Sequence, residues 1–111
     1  MLEILKKLFA FGPTVNYAEL VGNGALILDV RSKNEFSGGH IKGAINIPVN
    51  ELGNNLNKLK DKTRQIITCC ASGSRSAAAK NILISNGYLN VVNGGGWRSL
   101  NQKIASRRVK S

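Results

Sequence analysis

The amino-acid sequence predicts an α/β fold, a parallel sheet flanked by helices on both faces. Two observations carry the prediction. Short strand-like runs at 25–30, 44–47, 65–69 and 90–93 alternate with segments of helical patterning. Strand–helix–strand repetition is what the crossovers of a parallel sheet require. The chain also has 111 residues, 42% of them hydrophobic, which suits one packed domain rather than a disordered or multidomain chain. Two prolines and twelve glycines exclude collagen-like and proline-rich classes.

Each element has a local reason. Met1 to Gly12 is expected to form a short amphipathic helix through Leu2, Leu5 and Phe9, ended by Gly12-Pro13 and packed on the domain. Its apolar run, Leu8 to Phe11, is shorter than a secretory core, and no segment reaches the roughly 18–20 apolar residues of a membrane span. The expected location is the cytoplasm. Asn16 can cap a helix through Val21, which Gly22-Asn23-Gly24 stops. Residues 25–30 are almost continuously apolar, as in a strand buried on both faces. Ser32 can cap a helical turn through Phe36, closed by Gly38-Gly39. Residues 44–47 form a short strand ended by Pro48. Leu52, Leu56 and Leu59 stand at helical spacing and predict a helix over 51–59. A second buried strand follows at 65–69, then an Ala-rich helix over 76–85 and a last strand at 90–93. A final helix is expected from Trp97 to Ala105. The basic end, 106–111, has nothing to bury and is expected to fray. Residues 1–111 thus read as a single domain.

The chemistry concentrates at Cys70. A buried strand runs into Ala71-Ser72-Gly73-Ser74-Arg75, and this small polar loop runs into a helix. Ligands on parallel sheets bind at the carboxyl ends of strands. A thiol there faces the positive end of a helix, and small residues let loop N–H groups turn toward it. Gly73 supplies freedom at the tightest bend, and Arg75 adds a permanent positive charge. All of these favour the thiolate and predict a pKa below the usual value of about 8.5. Cys69, inside the strand, reads as a small core residue. The two thiols are not expected to pair, because neighbouring Cα atoms lie about 3.8 Å apart, short of the roughly 4.4–6.8 Å of a disulfide. With His40 the single histidine, no metal site is composed, and no motif requires an organic cofactor.

Several stretches together resemble a known family. Leu28-Asp29-Val30-Arg31-Ser32, Glu35-Phe36, the run from Gly39-His40-Ile41 to Ile47-Pro48, the Cys70-x-x-Gly73-x-Arg75-Ser76 loop and Gly94-Gly95-Gly96-Trp97 are similar, in order and spacing, to a single rhodanese domain. The resemblance spans about residues 15–100. It implies a rhodanese-like sheet and a sulfurtransferase that takes sulfane sulfur from thiosulfate or a persulfide onto Cys70 and passes it to a thiol or to cyanide. By motif position, Cys70 is the nucleophile and Ala71, Ser72, Gly73, Ser74 and Arg75 wrap the sulfur. Asp29, Arg31 and His40 match positions read as structural support, with Asp29 bonding loop amides and His40 bracing a turn. Ala71 and Ser72 stand where many members place a basic or larger polar residue, which leaves the donor open. The implied partners are a small anionic sulfur donor and a thiol acceptor, small or protein.

Other classes compete. The domain could be a persulfide carrier or docking module for a sulfur-delivery partner. Counted from Cys69, the spacing to Arg75-Ser76 formally matches the phosphatase and arsenate-reductase signature, although the flanking segments follow the rhodanese pattern. Net charge is +10 and lopsided, with nine basic and no acidic residues from Lys62 onward. That half could steer the domain to an acidic surface. The six aromatic residues do not interleave with Lys and Arg as base-stacking platforms would, so no specific nucleic-acid recognition is expected. The sequence leaves the oligomeric state open.

Overall fold

The computed structural model describes residues 15–110. Its strands are β1 (Leu26–Asp29), β2 (Ile45–Asn46), β3 (Ile66–Cys70) and β4 (Val91–Gly96). Its helices are α1 (Tyr17–Gly22), α2 (Lys33–Ser37), α3 (Val49–Leu52), α4 (Ser74–Ser85) and α5 (Trp97–Lys110), with a 3-10 turn at Leu56–Lys58. The strands form one sheet in the order β2-β1-β3-β4, every pairing parallel. The N-terminal helix expected over Met1 to Gly12 lies outside the described residues.

Alternation along the central strands sends side chains to two cores. Leu28 and Ile66 join Leu52 of α3 and Ala79 and Leu83 of α4 on one face. Ile27, Ile67 and Cys69 join Leu100 and Ile104 of α5 on the other, where Leu20 and Val21 of α1 also pack. Helices therefore cover both faces, as predicted. Each fully buried Leu or Ile contributes about 1.5–3 kcal/mol, so the central strands anchor whatever stands at their ends.

The predicted caps form. Asn16 accepts the Glu19 amide at 3.0 Å. Ser32 and Glu35 make a reciprocal capping box on α2. Four elements depart from expectation by more than one residue. The helix expected over 51–59 is instead the short α3, capped by Gly53, followed by the separate 3-10 turn. Gly53-Asn54 breaks it, yet Leu52 and Leu59 are buried all the same, so the leucine spacing reported burial rather than a continuous helix. α4 starts two residues early, at Ser74, because Gly73 is already its cap. β4 runs through the three glycines to Gly96 instead of ending at Asn93. α5 stays helical to Lys110, past the predicted end at Ala105.

Candidate active site

Cys70 is the last residue of β3 and is 1% exposed. The sequence predicts it one step beyond the strand. The ladder extends because a bulge lets Cys70 pair with Gly96 after Thr68 pairs with Asn93. The chain then turns through Gly73, whose φ of +109° is a left-handed conformation suited to glycine. This turn aims backbone amides at one atom. The Gly73 N–H donates to Cys70 Sγ at 3.0 Å and the Ser76 N–H at 3.4 Å. The Cys70 thiol lies 3.4 Å from Ser76 Oγ, to which it can donate. The sulfur thus sits at the N-terminus of the twelve-residue α4, where partial positive charge favours an anion. Burial alone pushes the Cys70 thiol up. Hydrogen bonds from the Ser76 hydroxyl and amide and from the Gly73 and Ser72 amides outweigh burial and leave the thiol below its ordinary value.

The other loop residues behave differently from a uniform wrap. The Ala71 carbonyl backs onto β4, 2.9 Å from where a Cβ on Gly96 would stand. Ser74 opens α4. Arg75, expected to close over the sulfur, makes a two-pronged pair with Glu35 at 2.7 and 3.0 Å. The pairing drives the Glu35 carboxyl down to about 2 and raises the Arg75 guanidinium further. The sequence pattern includes Glu35 within the Glu35-Phe36 stretch but assigns it no role. Its signal was the Ser32-x-x-Glu35 capping box, which fixes the carboxylate at the start of α2 facing the loop. Asn93 was also missed. Its Oδ1 accepts from Ser76 Oγ at 2.6 Å and from the Gly95 amide at 2.9 Å, and its Nδ2 donates to the Gly73 carbonyl at 3.3 Å.

Asp29 and Arg31 form a buried pair with three contacts of 2.8–3.1 Å. Asp29 also accepts the Arg31 amide at 3.0 Å. Arg31 then donates to the Gly39 carbonyl at 2.7 Å and lies 4.6 Å over the Trp97 ring. These two residues join the end of β1 to the turn after α2 and to α5, a supporting arrangement. His40 is exposed, stacked on Phe36, with Nδ1 2.7 Å from the Phe36 carbonyl. It braces its own turn.

Cys69 points to the opposite face of the sheet, among Ile27, Ile67 and Leu100. Burial pushes its thiol up to about 12. A phosphatase-type cradle counted from Cys69 therefore has no thiolate to hold, since the amides converge on Cys70 instead. Among the described residues no group of three His, Cys, Asp or Glu side chains gathers as a metal site, and no helix is long and apolar enough to cross a membrane.

The family model described as Rhodanese-like domain matches residues 14–103. The chain belongs to the rhodanese-like domain family. It is 36% identical over 84 residues to the thiosulfate sulfurtransferase PspE of Escherichia coli (strain K12), covering 75% of this chain and 77% of that protein. It is 33% identical over 96 residues to the thiosulfate:glutathione sulfurtransferase of Homo sapiens, covering 71% of this chain and 84% of that one. A solved structure described as a rhodanese with anions from E. coli superposes with a TM-score of 0.63 at 34% identity, covering 68% of this chain and 89% of that chain. Relatives with these names support a rhodanese-type role in sulfur transfer.

In this rhodanese-like domain the positive charge is divided. Lys58, Lys60, Lys62 and Arg64 precede β3 and so lie at the sheet's N-terminal end. Cys70 stands at the C-terminal end, about 16 Å away along a five-residue strand. These four side chains are not the mouth of the site.

Proposed function

We propose that this domain is a sulfurtransferase in which Cys70 carries the transferred sulfur as a persulfide. The observation that carries the reading is the convergence of the Gly73 and Ser76 amides on Cys70 Sγ, at 3.0 and 3.4 Å. The thiolate attacks the outer sulfur of thiosulfate or of a persulfide. The sulfur–sulfur bond of the donor breaks, and sulfite or a thiolate leaves with the electron pair. An acceptor thiolate, or cyanide, then attacks the outer sulfur held on Cys70, and Cys70 departs as thiolate. The fixed amides stabilise sulfur charge in both steps without reorganising. Ala71, Ser72, Ser74 and Arg75 shape the entrance to this cradle. A reducing, cytoplasmic setting suits two free thiols and a thiol acceptor.

The test is the intact mass after incubation with thiosulfate or a small persulfide. A gain of one sulfur atom located on Cys70, absent in Cys70→Ser, is expected. Full sulfur transfer retained by Cys70→Ser would overturn the assignment.

One observation favours a second reading, a carrier loaded by a partner protein. Glu35 neutralises Arg75, the guanidinium expected at the sulfur, which weakens its pull on a thiosulfate dianion. Turnover with small donors, compared with loading from a protein persulfide, separates the two.

A further inference from the structure

The Ser76 hydroxyl has one proton and three neighbours that could take it. Asn93 Oδ1 lies 2.6 Å away, the Gly73 carbonyl 3.0 Å and Cys70 Sγ 3.4 Å. Ser76 itself is fully buried, so water does not compete for the proton. The Asn93 amide cannot turn around to relieve this. Its oxygen is identified by the Gly95 amide donating to it at 2.9 Å, and its nitrogen by the Gly73 carbonyl at 3.3 Å. Its backbone is held too, with Tyr17 donating to the Asn93 carbonyl at 3.2 Å. Oδ1 is therefore a fixed acceptor beneath the nucleophile.

We propose, on the reading that Cys70 carries the sulfur, that Asn93 is a positioning residue which holds the Ser76 proton while the Cys70 sulfur is neutral and yields it when that sulfur becomes an anion. With a thiol or a persulfide at Cys70, Ser76 donates to Asn93. A thiol S–H then donates to the free lone pair of Ser76, which fits the 3.4 Å geometry. When an acceptor attacks the outer sulfur, the electron pair of the broken bond stays on Cys70 Sγ. The anion is then the strongest acceptor within reach, and the hydroxyl turns to it. Asn93 Oδ1 keeps the Gly95 amide meanwhile. Asn93 thus competes with the thiolate for one donor, and the Ser76 hydroxyl follows charge on the inner sulfur.

The other groups near the sulfur do not supply this behaviour. The Gly73 and Ser76 amides are fixed by the backbone. Arg75 from α4 is paired with Glu35 of α2, and Asp29 at the end of β1 is paired with Arg31. Cys69 faces the other side of β3.

The test is the pH dependence of Cys70 alkylation by iodoacetamide, located by peptide mass, which needs no sulfur transfer and so is independent of the proposed activity. Asn93→Leu removes the competing acceptor and is expected to lower the midpoint by about half a unit to one unit, the size of one neutral hydrogen bond. In a Ser76→Ala background the same substitution should leave the midpoint unmoved. Asn93→Asp, a stronger acceptor whose charge also opposes a thiolate, should raise it, and by more with Ser76 present than in the Ser76→Ala background. No shift in Asn93→Leu, or the same shift with and without Ser76, would overturn the proposal. So would a lowered or unchanged midpoint in Asn93→Asp, or an equal rise in the Ser76→Ala background; that variant serves as the test if Asn93→Leu does not fold.

Discussion

Arg75 reaches Glu35, not Cys70: its two terminal nitrogens meet the two carboxylate oxygens at 2.7 and 3.0 Å. Both side chains are about a third exposed, so the pair is moderate in strength but fixed in geometry. The cation that would otherwise attract an anionic donor is neutralised within the protein. Glu35→Gln keeps the capping box of α2, since glutamine serves that role, and frees the guanidinium. The expected outcome is a KM for thiosulfate lower by roughly two- to fivefold, with little change for an uncharged persulfide donor. Initial rates with the two donors check it.

The same pair gives a stability prediction with a definite sign. The Glu35 carboxyl falls from an ordinary value of 4.5 to about 2 on folding. A depressed carboxylate contributes stability above its unfolded value and loses it as pH falls through the folded one. The wild-type protein should therefore lose stability between about pH 4.5 and 2 more steeply than Glu35→Gln. Denaturant midpoints across that window measure the difference. Parallel curves would remove the pair from the account.

Arg31 should be far less tolerant than Arg75. It is 4% exposed, and it holds Asp29, which is fully buried. Arg31→Ala leaves that carboxylate without its partner and exposes one face of Trp97. The expected loss is about 3–5 kcal/mol, read by urea denaturation. Arg31→Lys should recover only part of it, because one ammonium cannot replace contacts to both Asp29 oxygens and to the Gly39 carbonyl together.

How far the sequence could be read follows from what each signal encodes. Local signals were faithful. Asn16 and Ser32 cap where they were expected to, and the apolar runs mark the strands. Gly73 at the bend after Cys70 was legible because a left-handed turn restricts the residue that can occupy it. Burial was legible at Leu52 and Leu59, but helix continuity was not, since Gly53 interrupts the element without changing which side chains face the core. The partners of the cradle were hidden for a different reason. Glu35 lies 40 residues from Arg75, and Asn93 lies 17 from Ser76. Those contacts exist only because β1, β3 and β4 are neighbours in the sheet, and no local pattern reports sheet order.

Cys69 and Cys70 should separate cleanly by experiment. Neighbours along a strand face opposite sides, and the two thiols are shifted in opposite directions, Cys69 up to about 12 and Cys70 downward. Cys69→Ala should keep sulfur transfer and its pH profile while costing about 1 kcal/mol of stability from lost packing. Cys69→Ser should cost more, about 1–3 kcal/mol, because its hydroxyl is buried among aliphatic side chains. A large loss of transfer in Cys69→Ala with the fold intact would give that thiol a role which its position opposes.

Gly94 and Gly96 differ in what a methyl group would strike, and so in what it would damage. A Cβ on Gly94 would come within 2.8–2.9 Å of Ile67, Leu100 and the Thr68 carbonyl. These belong to the core and the ladder, so Gly94→Ala should lose about 1–3 kcal/mol of stability. A Cβ on Gly96 would meet the Ala71 carbonyl at 2.9 Å, with Ser72 next in line at 3.9 Å. The backbone of the Cys70 loop would have to give way there. Because the Gly73 amide reaches the sulfur across only three residues, a shift of a few tenths of an ångström in Ala71 is passed to the cradle. Gly96→Ala should therefore depress the rate of Cys70 alkylation at neutral pH by more than its change in denaturant midpoint would suggest, and Gly94→Ala should do the reverse. Equal loss of reactivity and stability in both variants would mean that β4 supports the sheet without holding the loop.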